Sequence, residues 1–231
     1  MNQECLVCGA PLEYLAHSEP MECVFCHKIV QSTARCKQGH FVCDECHTQG
    51  VDSILALCLQ ETSKDPFAIF DKLISLPTCH MHGPEHHIIV GASLLTAYHN
   101  AGGTLNLAEA LHTMQERGRQ VPGGICGFWG TCGAAVSSGI FVSIVTGSTP
   151  LSTESWGLCN EMTSRTLAAV AKVGGPRCCK RNGQLAIAEG VKFAAEKLGV
   201  QMETHSVVCR HFTQNNQCLG SKCPFFPKES E

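Results

Sequence analysis

The chain has 231 residues, and a hydrophobic content of 44% with only 16% charged residues allows it to bury a core of ordinary size. The formal net charge of -3 gives no nucleic-acid signature, and the longest apolar run, residues 133–145, is too short to span a membrane. The 17 cysteines are an odd number, and no secretory leader is recognisable. We therefore expect reduced thiols in a cytoplasmic protein rather than a disulfide framework.

Closely spaced pairs of metal ligands dominate the first 47 residues. A CxxC pair supplies two ligands of a tetrahedral zinc ion from one tight turn. Because so short a segment has few other residues from which to build a core, we expect bound metal to hold its fold. The ligands of two structural zinc ions are expected to be Cys5, Cys8, Cys23, Cys26, Cys36, His40, Cys43 and Cys46.

Two ways of pairing these ligands remain open. A sequential arrangement joins the first pair to the second and the third to the fourth, as in a zinc ribbon. A cross-braced arrangement joins the first to the third and the second to the fourth. The segment ECVFCHKIVQSTARCKQGHFVCDEC resembles the first three ligand pairs of a RING finger, with the remaining pair upstream instead of downstream. The resemblance implies a docking module for a protein partner, and the altered order argues against ubiquitin-ligase activity.

A helical texture begins after residue 50. Apolar periodicity and capping residues predict helices over residues 51–61, 66–76, 84–100, about 104–117, 134–145, about 153–174 and 180–198. Residues 200–208 alternate between apolar and other side chains and predict one strand. The predicted fold is mostly α, and α+β overall. A double-zinc module (residues 1–50) precedes a helical Cys/His-rich domain with a cysteine-rich tail (residues 51–231).

Three groups of reactive side chains lie near predicted helix starts in this second domain. Unpaired amides and the positive dipole end at a helix N-terminus stabilise thiolates, anions and cluster sulfides, so we expect a shared metal or redox site. The expected cofactor-binding residues are Cys79, His80, His82, His86, Cys126, Cys132 and Cys178. The expected catalytic residues are Cys126, Cys132, Cys178, Cys179 and Arg177. Positive charge beside these thiols suits a small anionic or sulfur-containing substrate.

The tail carries four more ligand-type residues within fifteen positions. Their number suits a third zinc site, or ligands that complete an iron–sulfur cluster of the 4Fe–4S type. These residues are Cys209, His211, Cys218 and Cys223.

Four longer segments carry a family resemblance: CHMHGPEHHIIVGASLLTAYHNAGG, GICGFWGTCGAAVSSGIF, GGPRCCKRNGQLAIAEG and NNQCLGSKCPFFP. Together they resemble the prokaryotic family called domain of unknown function 5714, over about residues 50–225. The resemblance implies an anaerobic archaeal or bacterial setting, which suits the thiol content. It implies no particular reaction.

Three functions follow from these patterns. The first is an enzyme with thiol- or iron–sulfur-dependent redox or sulfur-transfer chemistry, and this is the one we expect. The alternative is a non-catalytic, zinc-stapled adaptor that docks a protein partner. The third is hydrolysis at a metal held by His80, His82 and His86, with Glu85 as general base; the soft thiols nearby argue against it.

Overall fold

The computed structural model describes residues 5, 7–8, 10–47, 51–76 and 78–228. Within these ranges the N-terminal module is a two-stranded antiparallel hairpin with a one-turn helix, and all other regular structure is helical. The prediction of a mostly α fold is confirmed. No helix in the described part of the chain has the length and apolarity needed to cross a membrane.

The N-terminal hairpin consists of β1, Leu12–Glu22, and β2, Ile29–Cys36, and a short helix, α1, Asp44–His47, follows it. The strands are paired from Leu12 opposite Cys36 to Glu22 opposite Ile29, with an irregularity in β1 between Tyr14 and Glu19. The sequence did not predict these strands, because most of their side chains are exposed and give no clear alternation. The small core beneath them consists largely of cysteines.

The helices of the second domain match the sequence predictions to within a few residues at each end. Well-formed caps explain this agreement: Asp65 Oδ1 accepts a hydrogen bond from Phe67 N at 2.9 Å, and Asn106 caps the helix that follows it. A one-turn helix, α6, was not predicted. The helices are α2 Val51–Gln60, α3 Pro66–Ile74, α4 His86–Asn100, α5 Leu107–Arg119, α6 Ile125–Phe128, α7 Gly133–Thr146, α8 Glu154–Val173 and α9 Cys179–Lys197.

Helix α4 forms the centre of this domain. It contacts α2, α3, α5, α7 and α9, and every residue from His86 to Tyr98 is buried. This explains why α4 is apolar on all sides and carries no solvent-facing stripe. Its N-terminal end therefore carries His86 and His87 into the interior of the protein, where the candidate site lies.

The strand predicted over residues 200–208 is wrong. The segment is extended, but no strand is assigned to it in the described residues. Its apolar positions, such as Met202 and Val207, pack on the helical core instead. The tail that follows contains two 3₁₀ turns, Phe212–Gln214 and Gly220–Lys222, and Cys209 N donates to Phe225 O at 2.7 Å. The predicted domain boundary at residue 50 lies outside the described residues, so the division into two domains stays a prediction.

Candidate metal and redox centres

The eight N-terminal ligands form two compact groups. Cys5, Cys8, Cys36 and His40 form one, and Cys23, Cys26, Cys43 and Cys46 form the other. Within each group all donor atoms lie within 4.8 Å of one another. The Sγ atoms of Cys8 and Cys36 are 3.5 Å apart, and those of Cys26 and Cys43 are 3.6 Å apart. A tetrahedral ion with zinc–sulfur bonds of 2.3 Å places its sulfurs about 3.8 Å apart. Both groups can therefore hold a metal ion, and their pairing is cross-braced.

Backbone hydrogen bonds bring these ligands together. Cys43 N donates to Cys23 Sγ at 3.4 Å, and Gln38 N donates to Cys36 Sγ at 3.2 Å. Burial raises the pKa of Cys23, but backbone N–H groups, above all that of Cys43, outweigh it and lower this pKa to about 6. Cys36 behaves in the same way, with a pKa lowered to about 7. Each group thus contains a thiol that ionises easily, as metal binding requires.

The module packs against the helical domain through a few specific contacts. The Arg177 guanidinium lies 5.3 Å from the ring centre of Tyr14, and the Tyr14 and Phe128 rings are 6.0 Å apart. Gly123 N donates to Asp44 Oδ2 at 2.9 Å. Between the N-terminal module and the helical domain, these contacts leave a cavity of about 950 Å³. We call it the interface cleft.

The interface cleft contains all five residues predicted to be catalytic. Of the predicted cofactor ligands, His82 and His86 also line it, whereas Cys79 and His80 do not. The four thiols among the predicted catalytic residues therefore line one cavity, but they form none of the compact donor groups found among the described residues, so a shared metal or redox site stays a prediction. The predicted catalytic residues that line the cleft are Cys126, Cys132, Arg177, Cys178 and Cys179.

The helix starts lie where the sequence predicted them, but at Cys178 burial has a larger effect on the thiol than the helix start does. Cys132 precedes α7 and Cys178 precedes α9, where Cys178 Sγ accepts a hydrogen bond from Arg181 N at 3.4 Å. Burial nevertheless raises the pKa of Cys178, and it raises that of Cys179 to about 12. Burial therefore outweighs the Arg181 backbone N–H and the nearby arginine charges at Cys178 and Cys179, and it favours their neutral thiol forms.

The basic residues around Cys179 are also used differently from the expectation. Lys180 is buried, and its Nζ donates to His80 O at 2.8 Å and to Cys79 Sγ at 3.2 Å. Arg181 is buried as well, and it donates to backbone carbonyls of the preceding loop. Arg177 remains on the interface cleft, where it can meet an anionic substrate.

A second cavity, of about 320 Å³, lies between α3, the start of α9 and the tail. Four cysteines line it, one from the helix start and three from the tail, and we call them the tail tetrad. His211 lines the same cavity. Some described residues form groups whose donor atoms all lie within 4.8 Å of one another, close enough to bind one ion. These cysteines form no such group, so they line a cavity instead of surrounding a single ion position. The tail tetrad consists of Cys178, Cys209, Cys218 and Cys223.

Backbone amides point at the sulfurs of the tail tetrad. His211 N donates to Cys209 Sγ and Gly220 N donates to Cys218 Sγ, both at 3.4 Å. Burial raises the pKa of Cys209, the backbone N–H of His211 opposes this, and the neighbouring Cys223 and Cys218 raise the pKa further. Such N–H to sulfur hydrogen bonds stabilise thiolate ligands of metal centres.

The vicinal cysteines Cys178 and Cys179 face different surroundings. Cys178 lines both cavities, whereas Cys179 lines only the interface cleft. A chain of hydrogen bonds follows the same route, from His82 Nε2 to Asn215 Oδ1 at 3.3 Å and from Asn215 Nδ2 to Cys178 Sγ at 3.5 Å. The two cavities therefore meet at Cys178.

The remaining predicted residues surround the buried carboxylate of Glu85. The donor atoms of His47, His80 and Glu85 form one compact group, and those of Cys79, Glu85 and His86 form another. Sequence reasoning gave His47 no role, because it follows a zinc ligand in another part of the chain. Only the docking of the module on the helical domain brings His47 to Glu85.

These features define a cysteine-rich, mostly helical protein with several groups able to bind metal. A family model described as a family of unknown function, DUF5714, matches residues 54–226, and the chain belongs to this family. The match covers the helices from within α2 onwards and the tail, and it leaves out the N-terminal module. No curated protein and no solved structure matches the chain.

Proposed function

We propose that this protein is a cytoplasmic redox enzyme in which the tail tetrad holds a 4Fe–4S cluster and the interface cleft binds the substrate. One observation carries the proposal. Four cysteines from two distant segments line one cavity, and one of them, Cys178, also lines the cleft.

The tail tetrad is not among the described groups whose donor atoms lie within 4.8 Å of one another, and this favours a cluster over a single zinc ion. The N-terminal groups of the same chain provide the comparison, because their donor atoms lie as close as one tetrahedral ion requires. A four-iron cluster holds its ligand sulfurs farther apart, around a core that fills space. The cavity of about 320 Å³ supplies that space, and the amides that face the sulfurs suit a negatively charged cluster.

The two N-terminal groups suit zinc in a structural role. Their donor sets, three cysteines with one histidine and four cysteines, are those of structural zinc sites. Four protein ligands leave no open position for a substrate. Zinc would therefore hold the module in shape and keep it over the interface cleft. The position of the module over the interface cleft favours an enzyme over the alternative function, a zinc-stapled adaptor. That alternative and its protein partner stay predictions.

The interface cleft provides the substrate side of the proposed enzyme. Cys126, Cys132 and Cys179 supply thiols there, and Arg177 supplies the positive charge that suits a small anionic or sulfur-containing molecule. A 4Fe–4S cluster held by the tail tetrad would supply one-electron transfer, with no bond made or broken within the cluster. Because Cys178 borders both cavities, an electron supplied by a low-potential carrier has a short path from the cluster to the cleft.

The test is the metal and sulfide content of full-length protein purified without oxygen. We expect about four iron atoms and about four acid-labile sulfides per chain, with a brown colour that bleaches when dithionite supplies the electron. Cys218→Ser and Cys223→Ser should each lose most of the iron. Cys126→Ser should keep it, because Cys126 lies in the cleft and outside the tail tetrad.

Cys159→Ser is the matched control, since Cys159 is another partly buried cysteine, on α8, and lies outside both cavities. It should keep the iron content of the parent protein. Colourless protein that contains zinc and no iron would refute the cluster. Iron that survives in both tail variants would place the cluster elsewhere.

A further inference from the structure

We infer a third kind of metal site, in which His47, His80 and Glu85 bind one divalent first-row metal ion between the N-terminal module and the helical domain. It is independent of the proposed cluster, since it shares no residue with the tail tetrad. It also differs from the histidine site considered from the sequence, because one ligand comes from the zinc module.

The distances among the three side chains fit a metal ion. His47 Nδ1 lies 3.1 Å from Glu85 Oε2, and His80 Nδ1 lies 3.3 Å from Glu85 Oε1. A tetrahedral ion with bonds of roughly 2.1 Å to nitrogen and oxygen places its donor atoms about 3.4 Å apart. The two imidazole rings are 4.6 Å apart and steeply inclined, so both can point at the same ion.

An unsatisfied atom indicates that hydrogen bonding alone does not explain the group. His80 Nδ1 is buried and lies 3.3 Å from Glu85 Oε1, close enough for an ion pair, but this contact lacks the geometry of a hydrogen bond. Glu85 Oε1 instead accepts a hydrogen bond from His80 N at 2.8 Å. Buried polar atoms are nearly always paired, and a metal ion would satisfy this nitrogen.

The other group around Glu85 is a poorer site for a cation. There, Lys180 Nζ lies 3.2 Å from Cys79 Sγ, so an ammonium group already occupies the surroundings of the cysteine. A metal ion at Cys79 would meet this positive charge at close range. At His47, by contrast, the carboxylate of Asp44 adds negative charge, which opposes the effect of burial, helps to raise the pKa of this histidine and favours a cation. Glu85 therefore serves the pair of histidines better.

Two histidines and one carboxylate are the ligand set of catalytic zinc and of non-haem ferrous sites with open positions. Of these three ligands His47 lines the interface cleft and the other two do not, so the ion would lie behind the wall of the cleft. The ion would also link α1 to the start of α4. Docking of the module and completion of the metal site would then be one event.

The experiment measures zinc, iron and manganese per chain in full-length protein and in His47→Ala and His80→Ala variants. Each variant should contain one metal ion fewer than the parent protein, and its sulfide content should not change. His112→Ala is the matched control. His112 is an exposed histidine 3.7 Å from Glu116 on α5, so its loss should leave every count as it was.

Unchanged metal content in both His47→Ala and His80→Ala would overturn the site. These two variants decide the question because both side chains are partly exposed and their loss leaves Glu85 in place. Far-ultraviolet circular dichroism checks that the variants stay folded. The sulfide content separates this site from the cluster: a variant that loses its ion and keeps its sulfide supports the site whether or not the cluster assignment holds.

Discussion

At the scale of single residues, the adjacent thiols of Cys178 and Cys179 have different surroundings because the backbone changes conformation between them. Cys178 is in an extended conformation before α9, and Cys179 is the first residue of the helix. The two side chains therefore leave the chain in different directions, and only Cys178 reaches the tail cavity. The sequence identified both cysteines. It could not assign Cys178 to Cys209, because 30 residues separate them and no local spacing links them.

Cys126 offers a direct test of the thiol chemistry in the cleft. The Cys126 residue is exposed, but partial desolvation of its thiol and the neighbouring Cys132 raise its pKa above the ordinary value near 9, which favours the neutral thiol at pH 7. We expect its alkylation by iodoacetamide at pH 7 to be slower than that of free cysteine. As the pH is raised, its rate should still be increasing where that of free cysteine has levelled off, because alkylation requires the thiolate.

Peptide-resolved mass spectrometry follows the labelling of Cys126, with free cysteine in the same solution as the reference. Labelling of Cys126 at pH 7 faster than this reference would reveal a thiolate stabilised in the cleft. That result would contradict the dominance of burial over positive charge there.

At the scale of elements, the helices were predictable and the connections between ligand groups were not. Asp65 and Asn106 mark helix starts by local hydrogen bonds, which are visible in the sequence as capping residues. The two strands of the hairpin gave no such local signal, because most of their side chains are exposed and do not alternate clearly. The alternating pattern of residues 200–208 led to a wrong strand prediction, because such a segment forms a strand only where a second strand is available to pair with it. Its apolar side chains serve to anchor the tail.

The close approach of α9 to α3 gives a prediction about stability. A Cβ atom at Gly183 would collide with the ring of Phe70, which is completely buried and has no room to move. Gly183→Ala should therefore destabilise the protein by about 1–3 kcal/mol through overpacking. The gain from replacing a helical glycine with alanine, roughly 0.5–1 kcal/mol, is too small to offset this. Urea denaturation measures the difference in the free energy of unfolding.

Gly157→Ala is the control for this substitution. Gly157 is also in a helix, α8, and a Cβ atom there meets nothing within 4 Å. It should stabilise the protein slightly, by up to about 1 kcal/mol. Equal effects at the two positions would show that α9 does not pack on α3 as closely as described. The position of Cys178 beside the tail would then be in question too.

At the scale of the whole molecule, the metal-binding residues come together only when distant parts of the chain dock. One N-terminal group lies at the open end of the hairpin, and the other joins its turn to the segment around α1. The tail tetrad joins the start of α9 to residues 209–223. His47 meets Glu85 because the module covers the helical domain. Sequence spacing reveals ligand pairs within one turn. It does not reveal sites whose ligands come from separate elements. The sequence therefore did not indicate that His47 lies beside Glu85, or that Cys178 lies beside the three cysteines of the tail.

The placement of a cluster next to a substrate cleft can be tested most directly by anomalous diffraction from crystals grown without oxygen. Data collected on both sides of the iron and zinc absorption edges locate each metal separately. We expect iron inside the tail cavity with Cys178, Cys209, Cys218 and Cys223 around it, and zinc in both N-terminal groups. A tail cavity without an iron signal, or with zinc alone, would contradict the proposed redox centre.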